Sequence, residues 1–251
     1  IVLISGIVVL LFLWSVSTID INAMNRSAWK IAWNIIKGIF TPDLSLLFNF
    51  TANGILYLLI ETIAIAFLGT LIGAVIAVPM AFLSAANVVP KPIAYVTRLL
   101  LIFIRTVPEL VYGLLFLRVT GPGAFAGALT IAVASIGMLS KLYVDAIENL
   151  DTKVLEAMTS LGCSTFEKIR FGILPQLFSI FLSIIVYRFD MNLRDASILG
   201  VVSAGGIGAP LLFAMDSNRW SQVGSILIGL IVLILLMELF SNKVRSKLVK
   251  G

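Results

Sequence analysis

The sequence predicts an all-α, polytopic membrane protein with about six transmembrane helices and one helix-turn-helix segment projecting into the cytoplasm. Three observations predict it. Only 12% of the 251 residues are charged and 60% are hydrophobic, against about 25% and 45–50% in soluble domains, and mean hydropathy is +1.09. So little charge cannot cover a water-facing surface. Several apolar runs reach the roughly 20 residues that cross a bilayer. The charge that remains gathers between the runs, above all at 141–175 and in the tail NKVRSKLVK.

The elements follow in order, as one transmembrane domain over 1–251. Residues 1–17 (IVLISGIVVLLFLWSV and the next residue) read as a first span rather than a secretory signal, because no basic region or small-residue cleavage site accompanies them. Its cytoplasmic lead-in is expected before Ile1. Residues 18–53 form an external or interfacial segment. Within it SAWKIAWNIIKGIF sets Trp29, Ile31, Trp33, Ile36 and Phe40 around lysines, the pattern of a helix lying on the membrane surface. Residues 54–140 hold spans two to four: Gly54 to Phe82, long enough to tilt; about 92–118, with Pro108 and charges that include Arg105 and Glu109; and about 123–140, whose small residues permit close helix packing. Glu61 in the second span is expected to pair with a loop lysine. Spans five and six occupy 176–240, with a glycine-rich external segment between them, and 241–251 is a basic tail.

Lys243, Arg245, Lys247 and Lys250 directly follow the last span, so the C-terminus is expected in the cytoplasm. Counting back places 141–175 inside and 18–53 outside. The net charge of +5 and pI of about 9.5 then reflect orientation-setting loops, and no nucleic-acid partner is expected. The chain has no histidine and a single cysteine, Cys163. This excludes an internal disulfide, histidine metal sites and a Ser-His catalytic pair; no catalytic residue and no metal site are predicted. No G-x-x-x-x-G-K-[ST] occurs, so ATP is not bound here through a P-loop.

Segment 141–175 reads as helix, turn and short helix. Leu142, Ala146, Leu150, Val154, Ala157 and Leu161 recur at helical spacing over KLYVDAIENLDTKVLEAMTSL. Gly162 falls where a left-handed residue commonly ends a helix. Ser164 and Glu167 stand at capping-box spacing, and Pro175 marks the boundary with the next apolar run. A rigid knuckle of this kind suits docking into a groove of another protein; the same pattern also describes a solvated amphipathic loop.

Glu156-Ala157, Gly162 six positions after the glutamate, and Leu174-Pro175 resemble the EAA loop of ABC-importer permeases, the loop that carries the helix coupling a permease to a separate ATPase. Met158 replaces the usual second alanine and Gly172 an Ile-like residue. Gly172 is expected to loosen the helix end. RTVPELVYGLLF (105–116), GPGAFAGALTIAVASIGMLSKLYVDAIE (121–148) and YRFDMNLRDASILGVVSAGGIG (187–208) are similar to the permease subunit of phosphonate-type importers, over roughly 55–212. One departure lies at Ala134-Ser135, where relatives often carry a histidine.

That resemblance implies a type I ABC importer permease in the bacterial cytoplasmic membrane, moving phosphonates or related oxyanions such as phosphite or phosphate. It implies a second copy of the chain, two ATPase subunits that bind ATP and magnesium, and an external substrate-binding protein. The ATPase-coupling residues are then Glu156, Ala157, Gly162, Ser164, Glu167, Leu174 and Pro175. Permeases for other small solutes, such as an amino acid, share the loop. A self-sufficient secondary transporter and an intramembrane enzyme are the remaining rivals.

Charges inside spans are costly and are usually paired or functional. Arg105 and Glu109 are i, i+4 across Pro108; Asp190 and Arg194 have the same spacing; Arg188 and Asp195 lie two turns apart. They are candidates either for a translocation path that attracts an oxyanion or for structural ion pairs, with a carboxylate near every arginine. ASILGVVSAGGIGAP, with Ser203, Gly205, Gly206 and Gly208, favours broken backbone and is a candidate gate segment or a tight packing turn.

Overall fold

A computed structural model describes residues 2–18, 26–47, 49 and 54–250. Part of the predicted external segment, at 19–25, 48 and 50–53, lies outside the described residues. All regular structure among the described residues is helical.

Helix α1 (Val2–Thr18) is apolar on every side. Helix α2 (Arg26–Phe40) is the amphipathic helix expected on the membrane surface, with Trp29, Trp33 and Phe40 exposed. A short α3 (Leu44–Leu47) leads towards α4 (Ile55–Ser84). Among the described residues four helices are long and apolar enough to cross, at Ile55–Ser84, Ala124–Glu148, Thr165–Val202 and Trp220–Leu248; a bent pair makes a fifth, and the expected first span is the shorter apolar stretch Ile4–Thr18.

The bent pair is α5 (Lys91–Thr106) and α6 (Glu109–Thr120), which meet at 84°. The cause is local: the residue before a proline is driven out of the helical region, and Val107 before Pro108 has φ −78° and ψ 123°. The expected straight third span is therefore two helices at nearly a right angle.

Helix α7 (Ala124–Glu148) packs along α4 at very short range. A Cβ on Gly69 would lie 2.7 Å from the Ile131 side chain, and one on Gly73 would lie 2.7 Å from the Cβ of Ser135. GTLIG (69–73) is thus a small-xxx-small face, the device by which helices approach in lipid where no hydrophobic force drives them together. Helix α10 (Leu174–Leu199) lies across both, and α12 (Trp220–Lys250) closes the bundle against α10 and α2. The basic tail is the helical continuation of α12, whose 31 residues extend about 45 Å.

Contacts sort the connections into two ends. Residues 85–90, the end of α7 and the knuckle meet at one end, through Asn87 donating to the Ile147 carbonyl and through a core of Phe82, Tyr143, Ile147, Ile173 and Phe181. The start of α4, the start of α7 and the glycine-rich segment meet at the other.

Candidate functional site

The knuckle begins later than expected. Helix α7 continues to Glu148, and the predicted single helix over 141–161 is broken at 149–151. There the Asp151 carboxylate accepts from the Lys153 amide at 3.0 Å, capping a new helix, α8 (Thr152–Ser160). Glu148 ties the joint down: it accepts from the Ala86 amide at 2.8 Å and pairs with Arg98, whose Nε also donates to the Ser84 carbonyl at 2.9 Å. No local pattern announces these partners, because they come from distant helices.

Helix α8 ends in a Schellman motif. Gly162 has φ +80°, its amide donates to the Thr159 carbonyl, and the Cys163 amide donates to Met158. Ser164 and Glu167 then form the capping box in full: the Ser164 amide reaches the Glu167 carboxylate at 2.7 Å, and the Glu167 amide reaches the Ser164 hydroxyl at 3.3 Å. The Ser164 hydroxyl, which also donates to that carboxylate at 2.7 Å, and then the Ser164 amide hold the Glu167 carboxyl below its ordinary pKa. Helix α9 (Thr165–Glu167) runs through a π turn (Lys168–Ile173) straight into α10. Pro175 marks the boundary where the π turn passes into α10, without a break in the helical run. It occupies the second position of α10, where its missing N–H costs little.

Gly172 does not loosen a helix end. It is buried under α8, and a Cβ there would stand 2.7 Å from the Met158 sulfur. The two departures from the EAA pattern are thus one packing solution: the longer side chain at 158 fills the space left at 172. Glu156 and Ala157 are exposed, and the Glu156 carboxylate makes no ion pair among the described residues. Leu161 (81% exposed), Phe166 (67%) and Phe171 (65%) give the knuckle an apolar tip.

Of the three expected local charge pairs, Asp190–Arg194 and Arg188–Asp195 form and Arg105–Glu109 does not. Arg105 and Glu109 do not meet, because the bend at Pro108 separates their helices. Glu109 instead faces Arg188, 4.0 Å away, and Arg188 is 3.9 Å from Asp195. Among the described residues Arg105 has no carboxylate partner, against the expectation that every arginine has one. Arg194 does pair with Asp190 at 3.0 Å, and also with Glu238 of α12 at 3.4 Å. Glu61 makes no ion pair among the described residues.

Arg188 is 6% exposed. Its Nε and Nη1 reach the Ser135 hydroxyl and the Met138 sulfur, each at 3.4 Å. Asn192, fully buried, donates to Thr70 at 2.7 Å and to Ser135 at 2.8 Å. Asn192 is thus the point at which α4, α7 and α10 are pinned by polar contacts, and its partner Ser135 stands where the resemblance leads one to look for histidine. Sequence reasoning missed Thr70 and Asn192; the GTLIG face that presents Thr70 was the available signal.

The glycine-rich segment is a tightly packed turn. After a 3₁₀ turn (Gly200–Val202), Ser203, Gly205 and Gly206 all have positive φ, and α11 (Gly208–Asp216) follows. The Ser203 carbonyl accepts from the Gly123 amide at 3.0 Å, and the Ile207 amide donates to the Thr62 hydroxyl at 3.0 Å. A Cβ on Gly205 would lie 2.7 Å from the Ala124 backbone, and Gly208 lies against the Ser197 carbonyl and Gly200. Ala204, Gly206, Ile207 and Gly208 are buried in protein contacts that satisfy much of this irregular backbone, while Ser203 is exposed.

Comparison with known proteins follows from this geometry. Residues 77–246 match the family described as "Binding-protein-dependent transport system inner membrane component". The phosphite transport system permease protein PtxC of Stutzerimonas stutzeri is 32% identical over 240 residues, 95% of this chain and 85% of that protein. The phosphate-import permease protein PhnE of Mycolicibacterium smegmatis is 39% identical over 189 residues, 75% of this chain but 36% of that protein. Among solved structures, the methionine ABC transporter MetNI in inward-facing conformation superposes with a TM-score of 0.65 at 15% identity, over 90% of this chain and 99% of that one. At that identity the likeness concerns the fold alone.

Proposed function

The chain belongs to the inner-membrane components of binding-protein-dependent transport systems, and on that premise we propose that it forms the translocation path of an ATP-driven importer for a phosphorus oxyanion: phosphonate, phosphite or phosphate. Relatives named for phosphite and phosphate transport support the substrate class. The observation that carries the coupling role is the knuckle: a capped, doubly anchored projection whose apolar tip, Leu161, Phe166 and Phe171, is exposed.

In this reading the permease performs no bond chemistry. Two copies enclose the path, and each knuckle seats in one ATPase subunit, where ATP and magnesium are bound. Leu161 and the adjoining Glu156, Ala157 and Gly162 meet the ATPase; Ser164 and Glu167 keep the turn rigid; and the unbroken run from Thr165 through Leu174 and Pro175 into α10 carries its movement into the membrane as a lever. The knuckle end and the basic tail face the cytoplasm. A substrate-binding protein delivers cargo at the opposite end, where the 203–208 turn serves as the outer gate. ATP-driven closure of the motor dimer then alternates access between the two sides.

The test is a reconstituted complex with its ATPase and binding protein. Phosphite, methylphosphonate or phosphate uptake, driven by ATP and abolished by Gly162→Pro, is expected, as is crosslinking of a photoreactive residue at 161 to the ATPase. Uptake of methionine instead of any phosphorus oxyanion overturns the substrate assignment. An ATPase rate indifferent to Gly162→Pro overturns the coupling assignment.

A further inference from the structure

We propose that two adjoining cavities beside the α5–α6 bend form an intramembrane relay site for the transported oxyanion, with Arg105 and Lys141 as its binding cations and Arg188 as its buried anchor. The inference rests on the import reading above and adds the place and the residues.

The larger cavity, of about 370 Å³, is lined by Arg105, Pro108, Glu109, Lys141 and Arg188 among others. A smaller one, of about 200 Å³, shares Arg105 and Lys141 with it and continues towards Arg98, Asp145 and Glu148 at the knuckle end. The two shared residues are cations on span-forming helices, and among the described residues neither has an ion pair or a hydrogen bond. Unpaired cations facing hydrocarbon are expensive and rare, so this wall must face water or an anion.

Arg188 is the second observation. Its Nη2 has carboxylate oxygens only at 3.9 and 4.0 Å, beyond hydrogen-bond reach, so a buried guanidinium is left with donors to spare. Opposite it, Oε1 of Glu109 is buried without a partner. Buried groups seldom leave bonds unmade, and a cluster held loosely apart has room for a guest between its members.

The charges agree. Three cations and one carboxylate line the larger cavity, a formal balance of 3 − 1 = +2; counting Asp195, behind Arg188, gives +1. In the smaller cavity Glu148 is occupied with Arg98, and Asp145 is the one further carboxylate on its wall. An anion is favoured either way. Forked N–H donors suit a tetrahedral oxyanion, and all those of Arg105 are uncommitted. The stem of Arg105 lies flat on Gly137, where a Cβ would stand 2.5 Å from its Cγ, so the glycine lets the guanidinium sit beside α7.

The test uses the complete importer in proteoliposomes. In Arg105→Gln/Lys141→Gln, phosphite uptake is expected to fall about tenfold or more, while ATP hydrolysis stimulated by loaded binding protein stays within about twofold, and the charge-keeping Arg105→Lys/Lys141→Arg retains most uptake. Wild-type uptake in the Gln variant overturns the site. So does equal loss in both variants, or an ATPase rate that falls in step with uptake. If the Gln variant does not assemble, Lys141→Cys with Cys163→Ser is treated with a negatively charged thiosulfonate: phosphite should slow the labelling and methionine should not, and absence of protection overturns the site. Failure of the wild-type complex to move any phosphorus oxyanion sinks the import reading itself, a different result from selective loss in the variants.

Discussion

Met158 and Gly172 offer the sharpest test of how the knuckle holds together, because each breaks the EAA pattern and the structure makes them one contact. Met158→Ala alone removes a half-buried side chain. Full burial of a methionine would set the cost at about 2–5 kcal/mol, and partial exposure lowers it to about 1–2 kcal/mol. Gly172→Ile alone forces atoms into the space of the Met158 sulfur, already only 2.7 Å from a bare Cβ. The methionine can swing aside, so overpacking costs about 1–3 kcal/mol. In the double variant the isoleucine occupies what the alanine vacates, and most of both penalties disappears. The coupling energy is then about 1–3 kcal/mol in favour of the pair. The assay is the apparent thermal midpoint of the purified complex, followed by uptake per ATP hydrolysed. At about 2–4 °C per kcal/mol for a chain of this size, each single variant should lose several degrees and the double should return close to wild type. Additive losses, or a Gly172→Ile variant as stable as wild type, would refute the claim that the two positions compensate.

Gly121 and Gly205 have nearly equal positive φ, 82° and 81°, but a Cβ meets nothing within 4 Å at the first and backbone at 2.7 Å at the second. Gly121→Ala should cost about 1–3 kcal/mol from the backbone alone, because its ψ of 171° puts it in a region only glycine populates, and Gly205→Ala clearly more; equal midpoints would show that the turn is not packed as described. Arg194→Met should leave uptake within about twofold but lower the midpoint, because Asp190 loses its 3.0 Å partner, and adding Asp190→Asn should recover it; a large uptake loss in the double variant would return Arg194 to the path. Since the folded pKa of Glu167 lies below its ordinary 4.5, its contribution is present above that value and lost as pH falls through the lower folded one. Ser164→Ala should therefore flatten the acid limb of the stability profile, and an unchanged limb would argue against the capping box.

The parts legible in the sequence were those specified by neighbours in the chain. Apolar runs mark helices that can live in lipid, because each helix satisfies its own backbone there. Gly162, Ser164 and Glu167 spelled out the turn and cap of the knuckle, since both features close within a few residues. The same locality explains the pairing of Asp190 with Arg194. Pro108 was visible as well, yet its consequence was underestimated: it turned an expected straight span through 84° and parted Arg105 from Glu109.

What tertiary structure decided was every contact between helices distant in the chain. Charge pairing inside the membrane follows whichever carboxylate packing brings near, so Glu109 went to Arg188 and Glu238 to Arg194, while Arg105 and Lys141, without an ion pair among the described residues, line a cavity. Glu148 found Arg98 across the end of the bundle, and Met158 found Gly172 across the turn. Composition and periodicity report what each segment can bury or expose; which side chains then share a space depends on the angles at which helices cross, and those arise only when small residues such as Gly69 and Gly73 let two backbones meet.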